Sequence, residues 1–419
     1  MMIGMEREDS NIRHILLIHQ AFAALDEPGG TRHHELARYL AKKGERITII
    51  GSPVSYLTGK RKSEQVVWRS RYQDDLGVAI LRAYTYPALH KSFVHRVISF
   101  FSFMISSFLI GLSVRKVDLV WGTSPPIFQA ITAWALARFK GVPFLFEVRD
   151  LWPDFAIAVG VLRQPLLIRM SRWMERFLYA HADCVVVNSP GFDDHVRSKG
   201  AKRVVVLPNG ADIEMFDPHD DGDEFRKLHA LHDKFVVLYA GAHGMSNDLG
   251  ILLEAASFLQ RNSEIQIVLL GDGKEKSALQ DRVQRMGLKN VRFVAPLPKS
   301  EIPSAIAAAQ ICVAILKPIE LYKTVYPNKV FDYMAAGRPI VLAIGGVIRE
   351  VLENASAGIA VPPGDPKALA AALLRLFEDR QLAEQMGING RDYLASHFNR
   401  SDLADRLHKL MGDLMDKNE

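Results

Sequence analysis

Short apolar runs alternate along this chain with stretches whose apolar positions recur every three or four residues. Runs rich in valine, isoleucine and leucine with no polar alternation mark strands buried on both faces, and the spaced pattern marks helices that cover them. The pattern predicts strands at 14–18, 46–51, 78–83, 118–121, 143–148 and 184–189, with helices at 33–43, 97–114 and 163–181 among them. The polar, basic stretch 52–76 reads as an extended loop or small hairpin. Near residue 213 the pattern restarts, with strands at 235–239, 265–270, 291–294, 311–316 and 340–344 and helices at 249–261 and 274–286. Strand–helix alternation of this kind gives an α/β fold of two doubly wound, Rossmann-like parallel-sheet domains. The expected units are 1–212, 213–398, and a final segment 399–419 whose helix 402–415 returns to the first domain.

One helix departs from the amphipathic norm. Residues 97–114, VISFFSFMISSFLIGLSV, carry no charge and are flanked by Lys91, His95, Arg96, Arg115 and Lys116. The length sits at the lower edge of a bilayer span. A buried helix, a span and an in-plane helix at the lipid headgroups are all open readings. Five serines, and a sheet that resumes at Asp118, weigh against a span. The preferred expectation is a helix, from about 93 to 114, that fills its place in the fold and shows Phe93, Phe100, Phe101 and Phe108 to lipid.

Composition narrows this picture only a little. A chain of 419 residues exceeds one ordinary core, which agrees with two domains. Cys184 and Cys312 both lie in apolar runs, so no disulfide framework is expected. The first fourteen residues are charged and lack the apolar core of a secretion signal, so a cytoplasmic location is expected. A net charge of +5 suits an anionic small molecule or membrane surface. Nucleic acid is not expected as a partner, because no basic run is interleaved with aromatics.

Candidate chemistry gathers at the predicted strand ends, where open α/β sheets place their ligands. Gly29-Gly30-Thr31-Arg32 follows the first strand and suits close approach of a phosphate or sugar. It is not the dinucleotide fingerprint, since no G-x-G-x-x-G is present. Arg149 and Asp150 end the strand 143–148. In the second half, Gly241-Ala242-His243-Gly244-Met245-Ser246-Asn247 and Gly271-Asp272-Gly273 end two strands. A helix carrying Lys329 and Asp332 is closed by Gly337 and stopped by Pro339. Gly345-Gly346 then opens the helix that carries Glu350. A carboxylate beside a glycine-rich helix start can hold a polyol and a phosphate.

These motifs in this order, with Pro208-Asn209-Gly210-Ala211-Asp212 at the junction and Tyr239-Ala240-Gly241 at a strand end, resemble the retaining glycosyltransferases of family 4. That family has the GT-B fold, two Rossmann-like domains facing a cleft with a C-terminal helix crossing back. The resemblance covers about residues 13–415. Thr123-Ser124-Pro125-Pro126, Arg149-Asp150-Leu151-Trp152-Pro153, Gly241 to Met245 and Pro327-Asn328-Lys329 further resemble bacterial O-antigen and capsule enzymes that move N-acetyl-L-fucosamine or related sugars.

Carried over by position, the resemblance puts the family's ribose-holding carboxylate on Asp332. The partner carboxylate, eight residues earlier, falls on Thr324. The family's arginine and lysine for the diphosphate fall on Ala242 and Asn247, and its cleft histidine on Arg149. With both cations gone, Lys329 is the first candidate to neutralise the diphosphate, with Arg149 or Lys323 next. Arg149, Asp150 and Lys329 are the catalytic candidates. Gly29, Gly30, Arg32, Asn209, Gly241, His243, Gly244, Asn247, Gly271, Gly273, Asp332, Gly345, Gly346 and Glu350 are the substrate-binding ones.

The implied reaction takes a sugar from a nucleoside-diphosphate donor, UDP-linked, to a lipid-pyrophosphate-linked saccharide at the cytoplasmic membrane face. No Asp-x-Asp motif is positioned to hold a metal, so the expectation is metal independence and no cofactor. Two rivals stand beside this reading: a nucleotide-sugar 2-epimerase of similar fold, and a non-catalytic partner that keeps the fold.

Overall fold

The computed structural model describes residues 12–55, 59, 68–87 and 93–417. The predicted loop 52–76 therefore lies partly outside the described residues, as do the charged start of the chain, Lys91 and the side chain of Phe93. Strands β1 (His14–His19), β2 (Arg46–Gly51), β3 (Arg69–Gln73), β4 (Ala79–Ala83), β5 (Leu119–Ser124), β6 (Phe144–Val148), β7 (Cys184–Val187) and β8 (Val204–Val206) form one sheet. Its order is β3-β4-β2-β1-β5-β6-β7-β8. All neighbours run parallel except the edge strand β3, which pairs antiparallel with β4. Helices α1 (Arg32–Lys42), α2 (Phe93–Ser113), α3 (Phe128–Lys140), α4 (Asp154–Ala158), α5 (Pro165–His181) and α6 (Asp193–Ser198) surround it.

The second sheet contains β9 (Phe235–Ala240), β10 (Ile265–Leu270), β11 (Val291–Val294), β12 (Ile311–Ile315), β13 (Ile340–Ala343) and β14 (Gly358–Ala360). Its order, β11-β10-β9-β12-β13-β14, is parallel throughout. Helices α7 (Asp223–Leu228), α8 (Leu249–Leu259), α9 (Lys276–Met286), α10 (Ile302–Ala307), α11 (Asn328–Ala335), α12 (Val347–Asn354), α13 (Pro366–Glu378) and α14 (Arg380–His397) complete this half. Gly337, at φ +64°, ends the α11 turn and Pro339 blocks its continuation, the stop that the sequence predicts.

Helix α15 (Arg400–Met415) crosses back and completes the first domain. Leu403, Leu407, Met411 and Leu414 share one buried cluster with Ile15, Leu36 and Trp121. Chain order reverses between β1 and β5 in the first sheet and between β9 and β12 in the second. Those two points open crevices at the strands' C-terminal ends. The halves meet across them. Ser189 Oγ donates to the Thr324 carbonyl at 2.6 Å, and Asn209 Nδ2 donates to the Tyr326 carbonyl at 2.7 Å. Phe155 stacks on Tyr322 at 5.4 Å.

Helix α2 is long and apolar enough to cross a membrane by length and composition, and it is also built into the first domain. Phe103 and Ile110 are fully buried in the core with Leu81 and Leu136. Of the aromatics expected to face outward, Phe101 does so and Phe100 and Phe108 do not. Phe100 is half-buried, stacked on Phe128 at 5.2 Å, and Phe108 packs inward. Val94, Ile98, Phe101, Ile105 and Leu109 form the outward stripe, each 45% exposed or more. The exposed positions recur every three or four residues and so form one stripe, and Phe100, a 100° step around the helix from Phe101, turns onto Phe128 instead.

Candidate active site

Glycines wall the crevice of the second sheet. Gly241 leaves β9 at φ +145°, and Gly271 and Gly273 leave β10 at φ +142° and +159°. A Cβ on Gly271 would meet the Gly241 carbonyl oxygen, and one on Gly273 would meet the backbone of His243 at 2.5 Å. Any larger residue would force these two strand ends apart. The close approach seats His243 beneath them, fully buried, with neither ring nitrogen hydrogen-bonded. Burial, reinforced by Lys276 and Lys329, lowers its pKa to about 4, so the imidazole is neutral and keeps one N–H to give.

Lys329 reaches the same place from the first turn of α11. Its Nζ lies 3.8 Å from the centre of the Tyr239 ring and has no hydrogen-bond partner. A Cβ on Gly241 would meet that nitrogen at 2.8 Å, so only glycine leaves room for it. Burial lowers the Lys329 pKa to about 7. Lys276, which the sequence reading missed, gives its ammonium to the Gly271 carbonyl at 2.9 Å. Gly244 and Asn247 form the next turn, closed by the Asn247 N–H on the Gly244 carbonyl.

A neighbouring cavity of about 560 Å³ opens at the ends of β12, β13 and β14. Gly345, Gly346, Tyr322 and Lys323 line it. Gly346, at φ +75°, packs on the Lys323 carbonyl, which a Cβ would strike. Arg349, not Glu350, faces this cavity, and Glu350 is exposed elsewhere on α12. Tyr322 joins the two regions through its hydroxyl, 2.5 Å from Ser246 Oγ.

Asp332 is nearly buried and already occupied. Lys299 Nζ donates to its Oδ1 at 2.7 Å, and Asn328 Nδ2 lies 3.3 Å from Oδ2. Burial raises its pKa, and Lys299 opposes the shift. Lys299 was not foreseen, because only the fold brings it beside a residue 33 positions away.

Across the gap, Arg149 ends β6 with Nε on Thr123 Oγ1 at 3.1 Å and Nη2 at 3.0 Å from His19 Nε2. His19, at the end of β1, is a third residue the sequence reading missed. Burial raises the Asp150 pKa to about 6, with Arg149 as the opposing charge. Gly29 turns at φ +147° against Ala23, while Gly30 faces open space.

Two other candidates are structural. Arg32 is 5% exposed, with Nε on Glu147 Oε1 at 2.8 Å and its other nitrogens on the carbonyls of Pro208 and Leu207. With all three nitrogens turned onto internal acceptors and the side chain buried, the expected binding role is corrected to an internal tie. Asn209 is 6% exposed and spends its amide on the second domain's backbone.

Comparison with known proteins agrees with this geometry. A family described as "Glycosyl transferase 4-like domain" matches residues 29–210, and "Glycosyl transferases group 1" matches residues 234–379. Alpha-D-kanosaminyltransferase of Streptomyces kanamyceticus is 27% identical over 285 residues, covering 66% of this chain and 72% of that one. O-antigen chain mannosyltransferase C of Escherichia coli is 24% identical over 304 residues, covering 67% and 79%. The structure of a sucrose-phosphate synthase from Thermosynechococcus elongatus superposes with TM-score 0.79 at 20% identity, covering 97% of this chain and 100% of that one. Anabaena Alr3699/HepE in complex with UDP-glucose superposes with TM-score 0.71 at 16% identity, covering 96% and 100%.

Proposed function

Because the chain belongs to the GT-B glycosyltransferases of family 4, we propose that it moves a sugar from a UDP-linked donor to a lipid-pyrophosphate-linked saccharide, with retention at the anomeric carbon. The carrying observation is the buried Lys329 ammonium, without a hydrogen-bond partner, beside the glycine-walled turn and His243. A diphosphate seated there would meet a cation, a neutral imidazole N–H and the backbone of the Gly241 turn. As the bond to the anomeric carbon breaks, negative charge grows on the leaving phosphate, where a preorganised cation is most effective. Attack from the same face lets that phosphate take the acceptor proton. Arg149 and Asp150, on the facing strand end, would flank the reacting sugar.

Asp332 would hold the ribose, sharing its carboxylate with Lys299. Gly345 and Gly346 would present backbone N–H groups to the donor's phosphate or sugar. The crystallised relative with UDP-glucose supports a UDP donor, and the O-antigen relative supports a role in bacterial surface-polysaccharide assembly. The local motifs favour N-acetyl-L-fucosamine or a related sugar. The outward stripe of α2 supports peripheral attachment to the cytoplasmic membrane face. The matched families, both named for glycosyl transfer, favour this over the epimerase and non-catalytic readings.

The deciding assay incubates the protein with radiolabelled UDP-sugars and membranes carrying lipid-linked GlcNAc. Label in the lipid fraction is the expected result. Conversion of the free nucleotide sugar would identify the epimerase, and no product across a donor panel would overturn both.

A further inference from the structure

A second cavity, of about 480 Å³, lies at the opposite edge of the first sheet, where β1, β2 and β4 begin. Arg46, Arg69, Arg71, Arg115 and Lys116 line it, together with His14. Strand geometry aims two of these cations. Arg69 and Arg71 are two apart on β3 and so share a face. Arg71 stands opposite Leu81, whose side chain packs in the α2 cluster. Both arginines therefore lean over the C-terminal end of α2, and Arg69 Nη1 reaches Ser113 Oγ at 3.3 Å.

Arg115 and Lys116 follow α2 directly. His14 holds them over the strand ends, its Nδ1 3.1 Å from each of their carbonyls and its Nε2 2.8 Å from Thr48 Oγ1. Burial, and next Arg46, lower the His14 pKa, so the ring is neutral: Nδ1–H donates to the carbonyls and Nε2 accepts from Thr48.

Capping of α2 does not account for this charge. Lys140 Nζ, reaching over from α3, already serves the Val114 carbonyl at 2.6 Å. Asp118 sits in the same turn, with one carboxylate oxygen on the His14 backbone N–H at 2.7 Å. Among the described residues, five cations thus line a hollow with one carboxylate, Asp118, in the adjoining turn. Like charges gathered this way raise one another's energy until an anion enters.

We infer that this basin binds the phosphate groups of anionic phospholipids. The basin adjoins the end of α2, whose outward stripe runs from Val94 to Leu109. Apolar side chains along the helix, with a cluster of cations at its C-terminal end, match a bilayer's acyl boundary and headgroups. The inference rests on the membrane-facing reading of α2 and adds a second point of attachment. Helix α2 spans roughly 30 Å at 1.5 Å per residue, with its start near the crevice edge and its end at the basin. Contact at both ends would fix how the cleft is held over the membrane.

The test is vesicle co-sedimentation of the full chain with phosphatidylcholine alone and with added phosphatidylglycerol. Three proteins are compared: wild type, Arg71→Glu with Lys116→Glu, and Phe101→Asp with Ile105→Asp. Wild type should favour the anionic vesicles, and the basin variant should lose about tenfold or more of that preference. It should keep UDP affinity and the wild-type circular dichroism. Equal binding by wild type and the basin variant overturns the basin while leaving the α2 reading intact. Wild type that binds neither vesicle overturns both, and sugar transfer to a detergent-dispersed acceptor then shows whether the catalytic reading survives alone. Calorimetry with inorganic pyrophosphate separates the sources. Saturable pyrophosphate binding lost in the basin variant, without vesicle binding by wild type, overturns the lipid assignment.

Discussion

Beneath the first-domain crevice, buried charges are paired. Glu147 accepts from Arg32 Nε and His33 Nε2, both at 2.8 Å, and from Trp121 Nε1 at 3.1 Å. Burial works against its charge, and His33 and Arg32 overcome it and hold the carboxyl well below the usual range. At the second-domain crevice, the His243 ring and the Lys329 Nζ are shielded from solvent and lack hydrogen-bond partners. An unpaired buried cation is costly, and folding tolerates it where a ligand completes the pair. The first crevice is thus built as a frame and the second as a receptor.

Four measurements bear on that contrast, beginning with the largest expected effect. Glu147→Ala should cost about 3–5 kcal/mol of stability by stranding the Arg32 charge, read by urea denaturation. A loss under 1 kcal/mol would mean that the frame is not held by its ion pairs. Lys329→Met keeps the apolar stem and removes the charge. Transfer should fall roughly 100- to 1,000-fold with no loss of melting temperature, the pattern of a residue kept for its ligand. Ordinary turnover in this variant would remove Lys329 from the site.

Asp332→Ala should weaken UDP binding by about 1–3 kcal/mol, the value of a charge-assisted hydrogen bond. If stability drops instead while UDP affinity holds, Asp332 and Lys299 belong to the frame. The smallest effect is in pH. The Lys329 pKa is about 7 in the empty protein against an ordinary 10.5. Between those values the folded state binds fewer protons than the unfolded one, so unliganded stability should rise with pH. UDP affinity should move the other way, falling by up to about tenfold per pH unit above pH 7, because binding must first return the proton. A flat affinity from pH 7 to 9, or the same slope in Lys329→Met, would contradict the assignment.

What the chain reveals by itself follows from the range of each interaction. Strand runs and the glycines at 241, 271 and 273 were legible because buried strands and tight strand ends need those residue types locally. Arg32 was misread as a ligand because its acceptors lie 115 and about 175 positions away. Lys299, Lys276 and His19 carry no local mark at all, and only the sheet order brings them to the crevices. On α2, Phe101 faces outward as its sequence suggests, whereas Phe100 turns inward because α3 brings Phe128 against it, a contact no local pattern marks.

The seam between the halves has a further consequence. Arg400 places Nε on Glu35 Oε2 at 3.0 Å and bonds its backbone N–H to the Ala211 carbonyl. The Gly210 Cα has room for no side chain, since a Cβ would strike the Phe398 carbonyl oxygen. The chain therefore passes between the halves twice, along adjacent paths. During synthesis the first half emerges without α15, its core cluster open where Leu403, Leu407 and Met411 will later sit. It must wait for the whole second half to be translated before its own core can close. Early release of the chain before residue 400 would leave that apolar surface bare, and maturation of the two halves is thereby tied into one event.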